Sequence, residues 1–162
     1  MQLKDNLDDT KDQLSWKWAK GAQSSVVEMM NPQFGSATYR VCVYDGTANP
    51  QPRMELDIPH GGTCGTKPCW KANGPEGVGY TNKAGTPNGI TALKFKGGSA
   101  GKAAIQVKGK GTNLPMMPLG DPGAPPVTVQ LVVIDGPTSA CWQSTFPALR
   151  VNLATQLSAK SP

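Results

Sequence analysis

The chain is short of the residues on which most catalytic chemistry depends. Its one histidine, His60, sits among Pro59, Gly61 and Gly62 with no nucleophile motif beside it, so a hydrolytic triad lacks its base. The 11 acidic residues lie mostly in loops or beside lysines, and none stands out as half of a glycosidase carboxylate pair. There is no phosphate-binding loop, no dinucleotide fingerprint and no metal-spaced histidine pair. No apolar run approaches the length that spans a bilayer. The expectation is therefore no enzyme, no cofactor, no bound metal and no membrane span, with a secreted hydrolase as the weakest of the functional readings.

Glycine (19) and proline (15) are plentiful, which with frequent Thr and Val points to many short strands joined by turns rather than to helices. A length of 162 residues suits one domain with a real core. The formal charge of +5 is spread along the chain without a basic block, so nucleic acid is not expected as a partner.

The stretch from His60 to Lys71 holds two of the four cysteines. Cys64 and Cys69, with Gly65 and Pro68 between them, can close a small disulfide loop. A metal knuckle is the competing reading, with Cys42, Cys141 and His60 as further ligands. Structural zinc sites, however, usually show two short Cys/His pairs, and Cys42 and Cys141 each stand alone in a strand-like run. Four cysteines allow three pairings. The preferred one is Cys64–Cys69 with Cys42–Cys141, the second stapling one sheet to another across a loop of about 100 residues, worth about 4–5 kcal/mol. Disulfides imply an oxidising compartment, hence a secreted or cell-surface protein. Met1-Gln2-Leu3-Lys4-Asp5 does not open as a signal peptide does, so a signal is absent from this chain, either removed or replaced by an added start.

Period-two alternation predicts strands over Gln13–Ala19, Ala37–Tyr44, Arg53–Ile58, Thr91–Lys96, Ala103–Lys108, Pro126–Asp135 and Ala140–Phe146. Shorter strands are expected at Trp70 and around Val78 and Tyr80. In Pro126–Asp135, apolar residues on both faces suggest a central strand covered on each side. Residues 109–125 read as an irregular loop, in which Met116 and Met117 form a hydrophobic lid rather than a copper(I) site. At the tail, a turn over 147–152 and a last strand near Ala154–Ala159 are expected. The fold class is all-β, an antiparallel β-sandwich or jelly roll of nine or ten short strands, disulfide-stapled. Residues 1–12 form a polar N-terminal arm, and 13–162 a single β-sandwich domain.

Lys94, Lys96 and Lys108, with Lys102 and Lys110 nearby, fall on the solvent side of a hairpin. They are either a patch for a polyanionic polysaccharide or lysine protection of sheet edges, and edge protection is preferred. Trp16, Trp18, Trp70 and Trp142 are ligand or interface aromatics if exposed, and core residues otherwise.

Leu14-Ser15-Trp16-Lys17-Trp18-Ala19-Lys20-Gly21, Gly61-Gly62-Thr63-Cys64-Gly65 with Lys67-Pro68-Cys69-Trp70-Lys71, and Cys141-Trp142 resemble an uncharacterised, cysteine-containing β-domain of secreted proteins from environmental bacteria. The resemblance implies an extracellular β-domain and brings no activity and no site residues.

The leading expectation is a non-catalytic extracellular structural or interaction module, a self-assembling surface or filament subunit. It would associate head to tail through its N-terminal arm or an edge strand. The alternative is a carbohydrate-binding module using exposed, coplanar tryptophans.

Overall fold

Leu14, Trp16 and Trp18 alternate with Ser15 and Lys17, and that alternation sets how the first long strand lies: Leu14 and Trp16 are buried, while Ser15 and Lys17 face solvent. The same rule builds the rest of the molecule. The computed structural model describes residues 1–46, 51–120 and 125–160. Within them are fourteen strands: β1 (Gln2–Lys4), β2 (Gln13–Ala19), β3 (Thr38–Tyr44), β4 (Met54–Ile58), β5 (Thr63–Cys64), β6 (Lys67–Pro68) and β7 (Trp70–Ala72). They continue with β8 (Gly77–Thr81), β9 (Ile90–Lys96), β10 (Ala104–Lys110), β11 (Val127–Asp135), β12 (Thr138–Phe146), β13 (Val151–Leu153) and β14 (Gln156–Ser158). Two short 3-10 turns, Asp9–Lys11 and Val26–Met29, complete the regular structure.

The strands form antiparallel sheets. One of eight strands runs β13-β14-β1-β2-β10-β9-β8-β7, one of four runs β12-β11-β3-β4, and β5 and β6 make a small ribbon. The buried sides of the two larger sheets share one hydrophobic cluster. Trp16 Nε1–H donates to Ser144 Oγ at 3.1 Å, and Phe95 meets Trp142 edge-on at 5.3 Å, so contacts pass directly from sheet to sheet. Tyr39, Trp70 and Tyr80 stack through one another, at 4.9 Å and 5.1 Å between ring centroids.

The all-β, disulfide-containing class is as expected, and five predictions of detail are corrected. Strand number is fourteen rather than nine or ten, because the three-residue strands β1 and β13 and the two-residue β5 and β6 are too short to show a period. Residues 1–12 are not an arm: β1 lies inside the large sheet between β14 and β2, Leu3 is fully buried, and Asn6 and Asp12 are tied together. The expected turn at 147–152 overlaps β13, which pairs with β14 as the sheet's end. The central strand β11 is covered on its inner side only, since Ile134 on the other side is 47% exposed. Lys94, Lys96, Lys108 and Lys110 do not guard an edge, because β9 and β10 are each flanked on both sides. Of the expected irregular loop, residues 121–124 lie outside the described residues.

Candidate functional site

Cys64 and Cys69 form the disulfide, with 4.9 Å between their Cα atoms. The turn Gly65-Thr66 that joins β5 to β6 places Gly65 at φ +69°, a conformation open to glycine at little cost. Beyond it, Cys69 N–H donates to Gly62 O, and Trp70 Nε1–H donates to Pro59 O at 2.7 Å. The disulfide thus stiffens a ribbon that stands over the end of the large sheet. Between this ribbon and the loop Asn82–Ala84 lies a groove of about 790 Å³. Its rim carries Lys67, Lys71, Lys83 and Lys94, and no carboxylate lines it. Asn82 holds the far wall: its Nδ2 donates to Tyr80 Oη and Thr86 O, and its Oδ1 accepts from Ala84 N–H.

Cys42 and Cys141 are not joined. They were expected in different sheets, but both project from the outer face of the four-stranded sheet, and β11 runs between their strands. Strands one apart in a sheet are about 4.8 Å from each other, so these two backbones are about 9.6 Å apart, beyond the span of about 7 Å that a disulfide bridges. Cys42 is buried and Cys141 exposed, and partial burial pushes both thiols above the usual range. Among the described residues, no three His, Cys, Asp or Glu side chains come together in a metal-holding group.

The tryptophans do not make a platform. Trp16, Trp70 and Trp142 are buried, and Trp18 is half-buried against the core. For Trp16 and Trp18 the alternation with Ser15 and Lys17 agrees with this inward orientation. His60 is exposed, at the ribbon's base.

The feature that sequence reasoning missed is a bare edge. Each long sheet ends in strands that proteins usually protect. Strand β4 carries Glu55 and Asp57, both ion-paired to Arg40, and Asn88 Nδ2 donates to Asp57 O. Strands β7 and β13 are three residues long, and β7 carries Lys71. Strand β12 differs: nine residues, Thr138–Phe146, without charge or proline. It pairs only with β11, and among the described residues no backbone hydrogen bond from outside the hairpin reaches it.

The turn sets which way its backbone points. Gly136-Pro137 is a two-residue connection flanked by the pair Asp135 and Thr138, with Gly136 at φ +57°. The turn hydrogen bond joins that flanking pair, and bonding alternates from there. Ala140, Trp142 and Ser144 therefore bond inward to β11, whereas Ser139, Cys141, Gln143 and Thr145 turn their N–H and C=O outward. No protein-family model, curated protein or solved structure matches this chain.

Proposed function

We propose that this chain is a non-catalytic extracellular interaction module, an open β-sandwich that self-associates by pairing β12 with β12 of a second copy. The observation that carries the reading is the nine-residue, uncharged strand Thr138–Phe146, paired on one side only. Such an edge is a template for adding a strand, and natural proteins normally blunt it with charge, proline or brevity. The other edges are short or charged, so the matching surface is another β12. Two copies joined this way run antiparallel about a two-fold axis, a closed pair rather than the open-ended filament expected at first. The Cys64–Cys69 disulfide supports an extracellular setting. Burial of Trp16, Trp70 and Trp142 removes the support for a tryptophan-based carbohydrate module.

The test is sedimentation equilibrium from micromolar to millimolar concentration. The natural chain is expected to pass from monomer to dimer. Gln143→Pro removes an outward N–H while sparing the ladder to β11, so it is expected to stay folded and monomeric. A natural chain that remains monomeric throughout, or a Gln143→Pro variant that dimerises equally well, overturns the proposal.

A further inference from the structure

The eight strands of the large sheet contain no aspartate or glutamate. They contain seven lysines, and the alternation that buries Leu3, Leu14, Trp16, Trp70, Leu93 and Val107 sends all seven to the opposite face. With a net charge of only +5 for the whole chain, this is a strong segregation of sign. Arg40, Glu55 and Asp57, which pair with one another, belong to the other sheet. Among the described residues none of the seven lysines takes part in a salt bridge. Edge protection accounts for Lys71 on β7 alone, since Lys4, Lys17, Lys94, Lys96, Lys108 and Lys110 stand on strands paired on both sides.

Their register gives the face a direction. Lys17 is opposite Gln106, Gln106 opposite Lys94, Lys94 opposite Gly79, and Gly79 opposite Lys71. Three lysines thus recur at every second strand in one row, about 9.6 Å apart. Lys96 and Lys108 flank Lys94 in the neighbouring rows, about 6.7 Å away along the strand. Gln106 stands between Lys17 and Lys94 in the row, and elsewhere between the lysines the surface is low, formed by Ala19, Ala92, Ala104 and Gly79. The row ends in the groove beside the disulfide ribbon, where Lys67 and Lys83 add to Lys71 and Lys94.

We infer that this face binds a linear acidic polysaccharide, laid across the strands along the row Lys17–Lys94–Lys71 with one end in the groove. The flat, lysine-studded strip presents point charges rather than the bidentate forks of arginine, which suits hydrated carboxylates or sulfates spaced along a sugar chain. The face carries no aromatic side chain on which unstacked bases could lie, since Trp16 and Trp70 point inward, and this argues against single-stranded nucleic acid. No large apolar side chain stands among the row's lysines to enter a lipid layer.

Binding of the intact chain to immobilised alginate, with neutral dextran, duplex DNA and phosphatidylserine vesicles as comparators, tests this. The natural chain is expected to bind alginate, to lose that binding as salt is raised, and to ignore dextran. Lys17→Glu with Lys94→Glu should weaken it at least tenfold. Arg150→Glu with Lys160→Glu, which changes net charge equally from exposed positions outside the lysine row, should weaken it by less than threefold. Equal loss in both double variants, no effect of the row variant, or tighter binding to DNA or vesicles than to alginate overturns the inference. Circular dichroism confirms that each variant is folded, and Lys17→Gln with Lys94→Gln, expected to weaken binding less than the glutamates do, repeats the test without new charge.

Discussion

Trp142 donates its indole N–H to Ser24 Oγ at 3.0 Å, and both side chains are buried. Ser24 is itself fixed, because its backbone N–H donates to Gly98 O at 3.1 Å and its O accepts from Gly98 N–H at 2.8 Å. The inner side of β12 is thereby anchored to the connection between β9 and β10. Ser24→Ala leaves the buried indole N–H without its acceptor, at a cost of about 1–3 kcal/mol. The measurement is the urea midpoint, which should fall with no change in slope. An unchanged midpoint would mean that the bond contributes nothing to stability.

Tyr39 Oη–H donates to Met29 O at 2.6 Å in the core. Burial, with a smaller contribution from Asp135, raises this phenol well above its ordinary value of 10.0. The folded chain therefore keeps the proton where the unfolded chain begins to release it. That stabilisation is complete below pH about 10 and is lost as pH climbs from there toward the raised value. Thermal unfolding of the natural chain should show a steep fall in midpoint above pH 10, and Tyr39→Phe a shallower one from a lower start. Parallel slopes for the two proteins would assign the alkaline loss to other groups.

The cysteines should react unequally. Two thiols are expected in the unfolded, never-reduced chain, with Cys64 and Cys69 recovered as a linked pair. In the native chain Cys141 should alkylate first and Cys42, at 4% exposure, only on unfolding. Because burial raises the Cys141 thiol above its ordinary 9.0, its alkylation should be slow at neutral pH and accelerate only beyond that value. A linked Cys42–Cys141 peptide would contradict the placement of β11 between β3 and β12.

How much of this was legible depends on whether a local pattern carries it. Leu14, Trp16 and Trp18, or Met54, Leu56 and Ile58, declare strand and buried face together, and the hairpin of β9 and β10 reads directly from Phe95, Ile105 and their neighbours. Strand order does not read this way. The period of two assigned Cys42 and Cys141 to faces but not to sheets, and it could not tell that Lys94 and Lys108 stand mid-sheet. Gln2-Leu3-Lys4 has one apolar residue and no period at all, and its burial depends on pairing with β14, more than a hundred residues away, as well as with the nearby β2. The lack of charge in Thr138–Phe146 was visible in the sequence; that the strand is an edge was not.

Leu3 lies opposite Leu157 on one side and Leu14 on the other, which makes β1 a slat held between the two ends of the chain. Contacts so distant along the sequence are the ones that slow folding, since the loop between them must close before they give anything back. During synthesis, β2 can pair with β10 while β1 still waits for a partner not yet made. Deleting β14 should therefore do more than shorten the sheet: it bares the flank of β1, exposes Leu3, and leaves a second unguarded rim on a molecule that already presents one at β12.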